Sequence, residues 1–351
     1  MRQYRFLTAL LFALVAAVFS DSVLAEEGTL IVLNKSEATA SLFDLASGRI
    51  AATVPTGAGP HEVAVSPNGK RALVANYGGR EPGSTLTLID VAEANVIRTI
   101  DLGRHQRPHG IQYLQDGRRA VVTAEASRAL LIVNADSGEV TRAIPTDQEI
   151  SHMVALAPDG TRAFVANIGS GSMTAVDLEQ GTRLKNLETG DGAEGVDVTP
   201  DGRQVWVTNR AADTITVIDA RSLETIDTLE ASSFPIRIKI TPDGRRALVS
   251  CARSGDVAVF DTESRAKLLR IAMKLEATSD TEGRLFSGSF GKSSVPIGIL
   301  VHPSGRTAYV AHTQADQVSV IDLSEMVVVQ RLESGREPDG LGYSPLKVAG
   351  S

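Results

Sequence analysis

From residue 29 onward, apolar and polar residues alternate in short runs, and turn residues break the runs at regular intervals. Residues 194–229 give the pattern in full. A β-rich run over Glu194–Thr199 ends at Pro200-Asp201-Gly202, and Gln204–Thr208 follows. Asn209–Asp213 turns the chain into Thr214–Ile218, and Asp219–Leu223 turns it again into Glu224–Leu229. Alternation over so few residues is a strand period, and the β-branched side chains that fill it favour strands. Glycine in the turns accepts positive φ, while Asp and Asn hydrogen-bond their own backbone. The segment predicts four short antiparallel strands.

The unit recurs. A Pro-Asx-Gly turn, or a close variant, places its glycine at 69, 117, 160, 202, 244 and 305, at intervals of 48, 43, 42, 42 and 61. An Asp or Asn closing an alternating strand falls at Asp44, Asp90, Asn134, Asp177, Asp219, Asp261 and Asp322, at intervals of 46, 44, 43, 42, 42 and 61. Two independent markers keep one phase, which is the signature of a repeat architecture. A four-stranded unit of this size is a propeller blade. Residues 29–57 supply three strands without an innermost one, and Asp339–Tyr343 is a strand with no successor. The expected fold is therefore all-β, a seven-bladed β-propeller of four-stranded antiparallel blades whose ring is closed by the C-terminal strand. The interval of 61 holds an insertion at about 276–296, rich in Gly and Ser, with Phe286, Phe290 and Lys292.

Residues 1–25 have a different pattern. Arg2 and Arg5 precede an apolar run over Phe6–Phe19, and Val23-Leu24-Ala25 follows as a small-residue cleavage site. That order reads as a signal peptide, and the run is short for a bilayer span. Residues 26–351 are then expected to be a single propeller domain, soluble, periplasmic or secreted. Losing Arg2, Arg5 and Asp21 would move the net charge of the 351-residue chain from −7 to −8. With 42% apolar and 22% charged residues the chain is too apolar to be disordered. No basic block is present to bind nucleic acid. Cys251 is the one cysteine, so the fold must hold without an internal disulfide.

The repeats Ala72-Leu73-Val74-Ala75-Asn76, Ala163-Phe164-Val165-Ala166-Asn167 and Val205-Trp206-Val207-Thr208-Asn209 each follow a Pro-Asx-Gly turn. Each also precedes an Ile-Asp or Val-Asp strand end. In this they resemble the YVTN-repeat seven-bladed β-propellers, which are related to lactonase-like, nitrous oxide reductase-like and methylamine dehydrogenase heavy chain-like propellers. The resemblance covers nearly all of residues 29–345. It implies the fold and leaves open lactonase or lyase activity, a dehydrogenase subunit, a copper or haem domain, and an interaction scaffold. It also implies that the first strand of each blade starts on one face, here the upper face.

Heading those innermost strands, in ring order, are Asp339, His61, His109, His152, Glu194, Ile236 and Ile297. Five neighbouring blades thus offer carboxylates and imidazoles, the ligands of zinc, copper, iron and nickel. A transition metal such as zinc or copper, a metal-free ligand or acid–base site, and a structural role for the histidines all stand open. A second ring, at the ends of the second strands, comprises Asn34, Asn76, Glu125, Asn167, Asn209, Cys251 and His312. Its Asn residues read as turn formers, and Cys251 and His312 as weaker metal candidates. Arg104, His105 and Arg107 stand beside His109 and would suit a carboxylate or phosphate, with Lys292 of the insertion a further ligand candidate. His302 falls on a lower turn, outside the site. No G-x-S-x-G, P-loop, H-E-x-x-H or C-x-x-C-H motif is present. The expected function is an exported, monomeric binding protein whose partner is a small molecule, a metal or another exported protein. The alternatives are a lactonase-like hydrolase or lyase using the His/Glu cluster, and a pure interaction scaffold.

Overall fold

The computed structural model describes residues 26–280 and 282–350, so the candidate signal peptide at 1–25 lies outside the described residues. Seven antiparallel sheets of four strands form the ring. Blades 2 to 7 begin with the innermost strands Pro60–Val65, Pro108–Tyr113, Ser151–Leu156, Ala193–Val198, Pro235–Ile240 and Pro296–Val301. Each blade then runs outward through three more strands in sequence order. Every innermost strand lies beside its neighbour's all the way round. In blade 5 the strands are Ala193–Val198, Gln204–Asn209, Thr214–Asp219 and Glu224–Glu230, within one residue of the alternation at each end.

Blade 1 takes its innermost strand from the far end of the chain. Pro338–Ser344 pairs antiparallel with Thr29–Asn34, from Thr29↔Ser344 to Asn34↔Pro338. The predicted closure is therefore present, and it removes an open sheet edge. Thr29 Oγ1 donates to Leu346 O at 2.7 Å, and Ala349 N to Ala92 O at 2.7 Å, which carries the tail on to blade 2.

The turn chemistry follows the sequence. The six repeat glycines all have φ between 65° and 74°, a region that costs a residue with a Cβ. Each marker Asp or Asn closes a third strand, and Asp219 Oδ1 accepts from Arg221 N at 3.0 Å and Ser222 N at 2.7 Å. The core lies between blades. Trp206 of blade 5 packs with Ile238, Val249 and Phe260 of blade 6, and comparable clusters fill the other contacts. At about 1.5–3 kcal/mol for each large apolar side chain buried, these clusters dominate the stabilisation. Fourth strands such as Glu224–Glu230 face solvent. The described residues hold two single-turn 3-10 helices, Lys35–Glu37 and Glu125–Ser127, and no helix long and apolar enough to cross a membrane.

Candidate functional site

In all seven blades the pairing of the innermost and second strands is irregular at the same place. In blade 3, Pro108 pairs with Ala124 and Ile111 with Val122, so His109 and Gly110 together oppose Thr123. His152 with Met153, and Glu194 with Gly195, stand likewise opposite single residues. A bulge re-aims side chains, and these aim the second residue of each innermost strand at the upper end of the channel. The residue opposite the bulge pins the next blade. Thr123 Oγ1 donates to His152 O at 2.6 Å, Thr208 Oγ1 to Ile236 O at 2.9 Å and Ser250 Oγ to Ile297 O at 2.7 Å. After the ring residue come Gly110, Gly195, Gly298 and Gly340. A Cβ on Gly298 would fall against Asp339 O, and one on Gly340 against His61 O.

His61, His109, His152, Glu194 and Asp339, all expected at the site, line one cavity of about 620 Å³. The three imidazoles are in continuous contact. Ring centroids are 5.0 Å apart for His61 and His109 and 3.6 Å for His109 and His152, with Tyr77 4.5 Å from His61. His61 Nδ1 donates to Gly59 O at 2.8 Å, since a carbonyl can only accept, so its Nε2 carries a free lone pair. His152 Nδ1 donates to Glu125 Oε1 at 2.5 Å, and its Nε2 lies 3.4 Å from Glu194 Oε1. Tyr77 Oη donates to Glu125 Oε2 at 2.7 Å. His109 is 1% exposed and its Nδ1 has no hydrogen-bond partner among the described residues.

Charged partners surround this stack. Glu194 Oε2 accepts from Arg210 Nη1 at 2.7 Å and its Oε1 from Arg237 Nη1 at 2.8 Å. Arg237 Nη2 also donates to Glu62 Oε1 at 2.8 Å, tying blades 5, 6 and 2 together across the channel. Lys35 Nζ is 3.1 Å from Asp339 Oδ2. Burial, helped by the charge of Lys35, pushes His61 down to about 4, and burial beside His152 holds His109 well below its usual value. Both are neutral at physiological pH. At His152 burial also opposes the charge, but the carboxylates of Glu125, hydrogen-bonded to Nδ1, and of Glu194, 3.4 Å from Nε2, outweigh it and raise the pKa. Burial is likewise outweighed at Glu194, by Arg210 and His152, and at Asp339, by Lys35 and His61, and both carboxyls lie below the usual range. Among the described residues, His109, Glu125 and His152 form a group that could hold a metal ion, each offering an atom within 4.8 Å of the others.

The other candidates divide. Arg107 lines the cavity, whereas Arg104 and half-buried His105 do not. Lys292 is exposed, 3.4 Å from Glu276, and away from the cavity. Cys251 is fully buried in the cluster with Trp206 and does not line the cavity, and burial pushes its thiol up to about 12. His312 has both nitrogens occupied, Nδ1 by Ser294 Oγ at 2.9 Å and Nε2 by Ser319 Oγ at 2.8 Å. Neither joins the site. Glu125 as a ligand, and Tyr77, Glu62 and Arg237 as lining or supporting residues, were not among the site residues expected from the sequence. Glu125 breaks the Asn of the second ring, and Glu62 and Arg237 stand where four blades have glycine, so a departure from the repeat marks three of them.

The insertion explains the apolar half of the ring. Phe286 and Phe290 pack with Phe234 over Ile236 and Ile297. Arg284 anchors the segment by two hydrogen bonds to Asp316, at 2.8 and 2.6 Å. Gly283, Leu285 and Phe286 form one side of the cavity.

A family model described as YNCE-like beta-propeller matches residues 175–278. No curated protein sequence matches the chain. Among solved structures it is similar to hydrazine synthase of Kuenenia stuttgartiensis, at 17% identity and TM-score 0.67, covering 80% of this chain and 88% of that one. It is also similar to the dihydro-heme d1 dehydrogenase NirN in complex with DHE, at 17% identity and TM-score 0.62, over 87% of this chain and 63% of that one. A functionally unknown protein from Desulfotomaculum acetoxidans has 14% identity and TM-score 0.74, over 91% and 100% of the two chains. At such identities the likeness concerns the fold, and that fold is the seven-bladed propeller expected from the repeats.

Proposed function

We propose that the protein is an exported binding protein that holds a transition metal, zinc or copper, at the upper mouth of its channel. His109, Glu125 and His152 are its proposed ligands, and His61 stands beside them. The observation that carries this reading is the neutral, buried His109, whose Nδ1 lacks a partner at the wall of a large cavity. A buried polar atom without a partner costs about 1–3 kcal/mol, and a bound ion would satisfy it. Imidazole and carboxylate together suit zinc and copper. Tyr77, on the other oxygen of Glu125, would orient that carboxylate from behind. Export rests on the charge and apolar pattern of residues 1–25.

A second reading, a hydrolase or lyase using acid–base chemistry, is favoured by the raised pKa of His152 between two carboxylates. Titration of the purified protein with zinc and copper separates the two. The metal reading expects one ion per chain, and a loss of affinity of about tenfold or more in His109→Ala, with none in His302→Ala on the lower face. Equal affinity in both variants would return the ring to metal-free chemistry.

A further inference from the structure

We infer that the upper cavity takes a small carboxylic acid with an apolar body, its carboxylate on Arg107 and its body against the insertion. This rests on the upper mouth being a ligand site, although not on the metal. The charges that line the cavity are largely matched within the protein. Lys35 faces Asp339, Arg210 and Arg237 face Glu194, and His152 faces Glu125. Glu337 accepts from Ser36 Oγ and from Leu285 N. Arg107 has no carboxylate partner among the described residues. Its Nη1 donates to Gly79 O at 2.9 Å, and its guanidinium lies 4.7 Å from the centre of the Tyr77 ring. Stacking fixes the plane of a guanidinium and leaves its remaining N–H groups to a ligand, as a fork that fits a carboxylate.

The opposite requirement comes from the walls. Leu285 is 61% exposed and Ile150 42% exposed, yet both line the cavity, with Ile168 and Phe286 beside them. Large aliphatic side chains left wet on a concave wall gain about 25 cal/mol per Å² when a ligand covers them. Leu285 is not loose, because Glu337 holds its backbone N–H at 2.8 Å and Asp316 holds the neighbouring Arg284. A single unpaired guanidinium facing apolar walls suits a monocarboxylate, whereas a phosphate calls for several donors.

Calorimetric titration of the purified protein with benzoate, phenylacetate and hexanoate, each beside its primary amide and beside inorganic phosphate, tests this. At least one acid should bind tenfold tighter than its amide, with or without zinc. Arg107→Gln should abolish that preference, Arg107→Lys should restore part of it, and Leu285→Ser should weaken acid and amide alike. Acids that bind no better than their amides, phosphate that outbinds every acid, or an Arg107→Gln variant that keeps the preference would overturn the inference. Failure of the metal reading looks different: no zinc uptake, with the preference for the acid intact.

Discussion

A single repeated residue shows how sequence becomes structure here. Asn34, Asn76, Asn167 and Asn209 each donate through Nδ2 to two hydroxyls on the following strand, for Asn209 those of Thr214 and Thr216 at 3.0 and 2.9 Å. They clamp the hairpin through side-chain hydroxyls of the next strand, rather than through the bonds to their own backbone expected of turn formers. His312 does the same work through Nε2 and Ser319, but it can be protonated. Burial pushes its pKa down to about 3 from 6.5, so the unfolded chain takes the proton first as pH falls. The stability that neutral His312 contributes is complete above 6.5 and is lost progressively toward 3. His312→Asn keeps the clamp and removes this titration. Relative to that variant, the wild type should lose about 2 kcal/mol between pH 7.5 and 5 in urea unfolding. A constant difference between the two proteins would contradict the assignment. The ring histidines were legible because one offset in the repeat locates them. Glu125, Glu62 and Arg237 were not, since charge at a turn or glycine position reads as solvated surface until the blades converge.

At the scale of the strand, alternation located nearly every element but not the bulges. An extra residue shifts the phase of the alternation by one, but it falls within two residues of the strand start, where the apolar pattern is too short to show it. The glycine that follows the ring residue in four blades is its one sequence mark. The bulge is nevertheless what aims the ring at the cavity. Thr208 is its clearest support, accepting from Gly195 N at 2.8 Å and donating to Ile236 O at 2.9 Å. Thr208→Val conserves shape and strands both backbone groups. It should cost about 1–3 kcal/mol in chemical denaturation. A loss below about 0.5 kcal/mol would mean that the bulge is held by packing alone. The insertion was legible as an irregular interval on the upper face. Its role as the apolar wall was not, because the contact of Phe286 and Phe290 with Phe234 depends on how blades 6 and 7 are placed.

For the whole molecule, the phase of two markers gave the blade count, and the missing innermost strand of blade 1 gave the closure. Deleting residues 337–351 leaves Thr29–Asn34 without its inner partner and removes Asp339 from the ring. Thermal unfolding should then lose its single cooperative transition, or the protein should aggregate through the exposed edge. An unchanged midpoint would show that blade 1 closes without the C-terminal strand. The same ring gathers side chains from five blades at one mouth, and the proposed metal lies between two of them, blades 3 and 4, on His109, Glu125 and His152. Anomalous scattering from zinc-soaked crystals measures that position directly. One strong peak is expected within bonding distance of His109, Glu125 and His152. No peak at that group, or the principal peak on the lower face beside His302, would contradict it.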